Sequence, residues 1–334
     1  NDIDYAPTGD VIFVSFDNGT ETVNTYDPAQ LYRLVSKRTS SATSQRGQYL
    51  QDLRYTYDAV GNIVNISDGN YLGTARSAVY SYDDLHRLVS SSILYSNSNE
   101  PINHTYEYDA IGNITYKSDV GSYYYDGSAG QSFANPHAVT QVRSSNGSAY
   151  YAYDKNGNVI SEDDTEYQWD YNNRIAAITL PEATNPIEYG YDTSGMRVSV
   201  ANGLTTTLYP NKGFNTDGQT VQKHIFAGDG LTATIKGTGL DASMSVAHTD
   251  HLGSTVAVTN SNGDIEEVLD YHSFGEISFN SSTASTLEQR KYIGHEYDVD
   301  TGLSYMEARY YNPSIGRFLS QDPAFWQLSG ARLA

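Results

Sequence analysis

"YTYDAVGNIV", residues 55–64, decides how this chain is read. It continues an alternation in which Leu53, Tyr55 and Tyr57 fall on one side and Arg54, Thr56 and Asp58 on the other. That period of two marks a strand with distinct faces. Asp58 and Gly61 then stand at the first and fourth positions of a turn. An Asp carboxylate there accepts backbone N–H groups, and Gly supplies the positive φ that closes a hairpin with a bulge. Ile63, Val64 and Ile66 begin the return strand.

The phrase recurs as "YEYDAIGNIT" (106–115), "YAYDKNGNVI" (151–160) and "YGYDTSGMRV" (189–198). Asp109 with Gly112, Asp154 with Gly157 and Asp192 with Gly195 repeat the turn positions of Asp58 and Gly61, so these eight residues are expected to serve geometry and not catalysis. Degraded copies are "YSYDDLHRLV" (80–89) and "QWDYNNRIAA" (168–177), where Trp169 replaces the tyrosine, and Tyr125-Asp126 is a fragment of one. Tyr57, Tyr82 and Tyr108 stand 25 and 26 residues apart, and Tyr271 to Tyr297 is 26 again, room for about two strands and two turns. A divergent array of this kind adds each unit to one continuous body, so a prior of about 150 residues per domain does not apply.

The predicted fold class is therefore all-β, a succession of hairpins in one long sheet. Twist accumulates in such a sheet and an open edge invites aggregation, so it must curl, stack or close on itself. Two stretches could form a helical turn or two, "DPAQLYRLVSKR" from Asp27 and "STLEQRKYI" from Ser285, but neither sustains an apolar stripe.

Apolar residues make up 38% of the chain, below the roughly 45–50% of an ordinary globular domain. Tyrosine outnumbers phenylalanine 30 to 9, so the aromatics chosen have a hydroxyl that wants a partner or water. This suits a thin wall better than a thick core. Forty acidic against 20 basic residues give a formal charge of −20. That balance argues against nucleic acid or anionic membrane as partners, since phosphate binding needs a concentrated basic surface. With no cysteine, disulfides, thiol catalysis and cysteine-based metal sites are excluded. No apolar run is long enough to span a bilayer as a helix, so no membrane insertion is expected. "NDIDYAPTGD" at the start has neither initiator Met nor the features of a signal peptide, and reads as the start of a processed or excised piece of a longer protein.

Several stretches invite a chemical reading. "HTDHLG" offers His248, Asp250 and His251, but on a strand the first two face one side and His251 the other, so no metal site is expected. "DKNGN" (154–158) and "NSNGDIEE" (260–267) space oxygen side chains around a Gly, yet neither continues into a calcium loop closed by a bidentate Glu, and both read as hairpin turns. Asp163-Asp164 and Glu266-Glu267 are adjacent, so on strands their carboxylates diverge. There is no G-x-S-x-G elbow and no phosphate loop. The sequons at Asn18, Asn65, Asn103, Asn113, Asn146 and Asn280 are what a chain rich in Asn, Ser and Thr produces by chance. No cofactor and no enzymatic activity of the array itself is expected.

The YD array, together with "YIGHEYDVDTGLSYMEARYYNPSIGRFLSQDP" (292–323), resembles the RHS/YD-repeat family, which includes bacterial RHS proteins, the C component of insecticidal toxin complexes and the teneurins. The second stretch looks like the RHS-associated core motif, and "HTDHLGSTVAVTNSNGDIEEVLDYHSFGE" (248–276) also fits the family pattern. The resemblance implies a divergent hairpin array over 1–247, a core region over 248–323 and, from 324 to 334, the start of a truncated C-terminal segment. It further implies a spiralling sheet forming part of a hollow shell. Such a segment would belong to a secreted or injected RHS-type polymorphic toxin of a prokaryote. Its partners would be a C-terminal effector in cis and other shell or secretion-system components.

Family members often end the core in an aspartate-dependent self-cleavage, which makes Asp322 a catalytic candidate, with Arg317 close by. Alternatively, Asp322 before Pro323 simply initiates a turn. A different class remains open: an extracellular or cell-surface adhesive protein whose exposed tyrosine faces bind carbohydrate, or whose open edge strands stack copies of itself into filaments.

Overall fold

The computed structural model describes residues 2–42, 48–70, 72–125, 136–228, 230–282 and 288–324. Among them the chain is almost wholly β, with thirty strands and three single 3-10 turns. Each strand pairs antiparallel; twenty-six strands belong to one sheet and four to a second.

The repeated phrase builds the same hairpin each time. Strand Gln51–Tyr57 pairs with Ile63–Asp68, and the register slips by one residue between Thr56 and Tyr57. The same slip recurs at Ser81/Tyr82, Ala152/Tyr153, Gln168/Trp169 and Gly190/Tyr191. A bulge of this kind bends the strand and re-aims one side chain. Here that side chain is always the aromatic residue before the aspartate.

The chain divides into two compact units. The first comprises Asn1–Tyr106 and His224–Gly294. Its strands from Asp2–Tyr5 to Leu88–Tyr95 pair in chain order. A second rank, Gly230–Lys236, Ser243–Thr249, Thr255–Thr259, Ile265–Tyr271 and Ile277–Ser282, does the same. The two ranks touch through side chains: Asn18 Nδ2 donates to Thr259 Oγ1 at 2.9 Å, Gln51 Nε2 to the Thr249 carbonyl at 3.0 Å, and Tyr95 Oη to Asp270 at 2.7 Å. Leu53, Tyr55, Ala78 and Ile93 from one rank and Val246, Ala257, Val268 and Leu269 from the other are buried.

The second unit comprises Glu107–Lys223 and His295–Ala334. It carries hairpins from Ile114–Lys117 through Phe214–Thr216, and a four-stranded sheet of Glu296–Asp298, Leu303–Met306, Arg309–Asn312 and Arg317–Phe318. Tyr123 Oη donates to the Ile315 carbonyl at 3.0 Å, and the Val159 N–H donates to the Leu319 carbonyl at 2.8 Å. From His295 on, the core motif therefore packs on the hairpins of the second unit.

Among the described residues neither stretch forms an α-helix. Asp27 caps one 3-10 turn over Pro28–Gln30, Leu31 and Tyr32 take positive φ, and the chain is extended from Arg33 to Ser41. Both neighbours of that strand offer free ladder positions, and that pairing outweighs a weak local preference. In the other stretch, 285–287 lie outside the described residues, and the single 3-10 turn is Tyr292–Gly294. Asp126 also lies outside them.

Candidate functional site

The hairpin tips share one geometry. Asp58 Oδ1 accepts the N–H groups of Val60, Gly61 and Asn62 at 3.0, 2.7 and 2.8 Å, while Asn62 Nδ2 donates to Oδ2 at 2.8 Å. Asp109 with Asn113 and Asp154 with Asn158 repeat the arrangement. Asp192 accepts from the N–H groups of Ser194 and Met196. Gly61, Gly112, Gly157 and Gly195 all have φ between 82° and 107°. The hydrogen bonds at Asp58 and Asp109 hold both carboxyls below their usual range even though partial desolvation works against them.

In the degraded copies Arg87 and Arg174 replace the clamping asparagine and bind Asp83 and Asp170 through Nε at 2.7 Å. His86 and Asn173 take positive φ in place of Gly, at 62° and 60°. The residue four after the aspartate is thus part of the device, a position the sequence reading passed over although "GN" stands in three copies.

The aromatic residue before the aspartate explains why the chain uses tyrosine. Tyr57 Oη donates to the Leu34 carbonyl at 2.6 Å, Tyr82 to Ile63 at 2.8 Å and Tyr191 to Ile175 at 2.8 Å, and Tyr271, at an equivalent bulge but followed by His272, to Thr255 at 2.7 Å. Each acceptor sits opposite the bulge of the preceding hairpin, as Leu34 does to Tyr26, Ile63 to Tyr57 and Ile175 to Trp169. Trp169 keeps the latch by giving its indole N–H to the Val159 carbonyl at 2.6 Å. Phenylalanine has no donor for this purpose. Tyr271→Phe is expected to cost about 1 kcal/mol, the net worth of one such bond. Tyr171→Phe, at a site 92% exposed, should leave the urea midpoint unchanged.

"HTDHLG" departs from its strand reading. Strand Ser243–Thr249 ends before Asp250. Asp250 Oδ1 accepts the N–H groups of Leu252 and Ser254, each at 2.8 Å, and Gly253 has φ 87°. "DHLG" is another Asp-x-x-Gly tip, so Asp250 does not lie on the strand beside His248. Asn260 builds the analogous turn with Gly263 in the calcium-like stretch. Asp163 also lies in a turn, at φ 48°, and takes the Tyr150 N–H at 2.8 Å. On strand Ile265–Tyr271, Glu266 accepts from Ser245 while Glu267 pairs with Lys291 at 2.5 Å. Among the described residues no group of three or more His, Cys, Asp or Glu could hold a metal ion.

The core motif of the second unit is fixed by one buried guanidinium. Arg197 Nη2 meets Glu296 at 2.5 Å and Nη1 meets Asp298 at 2.6 Å, with the arginine side chain 1% exposed. Its carbon lies 4.5 Å from the Tyr305 ring centroid and 5.0 Å from that of Tyr209. Burial alone would lower its pKa, but Asp298, Tyr310 and Glu296 hold it well above the ordinary value. Asp298, the aspartate of the last "YD", therefore binds Arg197 and does not cap a tip.

Asp322 lies at the edge of a cleft of about 720 Å³ whose walls include Asn113, His137, Tyr153, Arg309, Arg317 and Gln321. Its Oδ2 takes Arg309 Nη2 at 2.8 Å and its Oδ1 takes the Ala324 N–H at 2.9 Å. Arg309 is stacked 3.7 Å from the Phe318 ring centroid. Arg317 turns elsewhere, to the His137 carbonyl and the Tyr125 hydroxyl.

Residues 246–332 match the teneurin YD-shell family model. The chain is 26% identical over 322 residues to the tRNA3(Ser)-specific nuclease WapA of Bacillus spizizenii, covering 80% of this chain and 13% of that protein. It is 24% identical over 400 residues to toxin subunit YenC1 of Yersinia entomophaga, covering 96% of this chain and 39% of that one. The chain thus spans only a minor part of these relatives. A solved Photorhabdus luminescens Tc holotoxin pore carries the same fold at TM-score 0.75 and 20% identity, over 97% of this chain and 18% of that one. With its YD hairpins and core motif, the chain is similar to the RHS/YD-repeat proteins, in fold over nearly its whole length and in family-model match over its last quarter.

Proposed function

We propose that this chain is wall: a structural segment of the shell of an RHS-type toxin, which encloses a C-terminal effector during delivery out of the producing cell. The observation that carries this reading is the fold match to a toxin complex over 97% of the chain. The latches and clamped tips support it, because they spend the repeated residues on joining neighbouring hairpins. Relatives that bear nuclease and toxin-subunit names support the delivery role. The test uses the product of the whole gene. Whatever follows Ala334 should resist trypsin while joined to this segment and be digested when made alone. Equal digestion in both forms would defeat the proposal.

The cleft beside Asp322 supports a second role, aspartate-dependent release of that effector. Arg309 holds one carboxylate oxygen and the Ala324 N–H the other, so the group is oriented, as a base that activates water requires.

A further inference from the structure

Four of the eight histidines lie in the first unit where its two ranks of strands face one another. The His248 ring stands edge-on to Phe16 at 5.7 Å, His251 to Tyr55 at 4.9 Å and His272 to His104 at 5.1 Å between centroids. Each ring closes the seam as an aromatic side chain would. His248 Nε2 bonds Thr259 Oγ1 at 2.9 Å, and that oxygen also takes Asn18 Nδ2. The Nδ1 atoms of His248, His251 and His272 are buried without a hydrogen-bond partner among the described residues. Whichever nitrogen carries the proton, a second one would place a charged N–H against carbon, at a cost far above that of the neutral ring.

The charges around the seam do not relieve this. Lys37, on the strand facing His248, donates to Thr249 Oγ1 at 3.4 Å and to the Asp250 carbonyl at 3.2 Å, and its charge opposes protonation of His248 and His251. Arg76 also opposes protonation of His251, and Asp250 favours it. Asp68 and Asp270 line the same cavity of about 200 Å³ as His251 and His272. Asp270 is already committed to Arg76 at 2.6 Å and to Tyr95, and Asp68 to Asn70 and the Asp52 N–H.

We propose that this seam is an acid-sensitive closure: mild acid protonates His248 and His251 and drives the two ranks apart, opening the first unit from within. The property belongs to the unit whether or not it encloses cargo.

Burial, with Lys37 adding to it, pushes His248 down to about 3, and burial lowers His251 against the pull of Asp250. A histidine depressed in the folded state takes its proton more readily when released. Its contribution to closure is therefore intact above the ordinary value near 6.5, is lost progressively as pH falls, and for His248 goes on falling to about 3. At pH 5 that one residue shifts the closed-to-open ratio by about 30-fold. Lys37, lowered to about 8, is protonated in both states below that pH and adds no slope in this window. Asp68, whose carboxyl burial pushes up, works in the opposite sense and reduces the effect.

The test is amide exchange on the full chain at pH 7.4 and 5.0, corrected for intrinsic rates. Segments 243–271 should lose protection at least tenfold at pH 5.0, while segments 187–211 of the second unit keep theirs. His248→Gln with His251→Gln should abolish most of that loss. Equal protection of 243–271 at both pH values, or an undiminished loss in the double variant, overturns the proposal. If the double variant does not fold at pH 7.4, NMR titration of the unaltered protein decides: a His248 pKa below 5 supports the closure and one above 6 overturns it.

Discussion

Arg197→Met should destabilise the second unit by about 3–5 kcal/mol, the usual result of removing one partner from a buried charge pair. The methionine fills the space between Tyr305 and Tyr209 but leaves Glu296 and Asp298 facing each other without their cation. Most of the loss comes from those two carboxylates, so adding Glu296→Gln and Asp298→Asn should restore the larger part of it. Arg54, at 58% exposure, pairs with Asp52 at 3.2 Å, and Arg54→Met should cost no more than about 1 kcal/mol. Urea midpoints of the variants check the order. If Arg197→Met and Arg54→Met behaved alike, the buried guanidinium would not be what anchors the core motif.

Asp322→Asn is expected to stop release of the C-terminal region altogether while leaving the urea midpoint in place. The carboxylate is half exposed and its fold contacts are one arginine and one N–H, so little stability rests on it. An amide of the same shape keeps the turn to Ala324 but cannot take up a proton from water. In the whole-gene product the unaltered protein should run as two bands on a denaturing gel and the variant as one. Arg309→Met should slow release, because the carboxylate loses the hydrogen bond that orients it; Arg309→Lys should restore part of the rate. Two bands from Asp322→Asn would leave Asp322 only its role in starting a turn.

Much of the fold was legible because the repeated phrase carries its own local geometry. Period-two alternation and an Asp-x-x-Gly turn specify a hairpin without help from distant residues, and the solved-structure match agrees with the all-β expectation. What stayed hidden depends on pairing across long separations. Nothing near Arg197 in the sequence marks it as the partner of residues about a hundred positions away. Tyr57 and Tyr82 were visible as strand residues, but their acceptors are carbonyls, which no side-chain pattern reports. Asp250 was misplaced for a different reason: without a tyrosine before it, "TDHLG" does not look like a copy of the phrase, although its turn is the same. Arg309 was overlooked beside Asp322 because thirteen residues of hairpin separate them.

The tyrosine latches all point backwards: Tyr57 reaches Leu34, Tyr82 reaches Ile63, Tyr191 reaches Ile175 and Tyr271 reaches Thr255. A hairpin leaving the ribosome is consequently unfinished until its successor has also emerged to fasten it. Synthesis therefore completes the array one unit behind the growing end, like masonry in which each course is secured by the next.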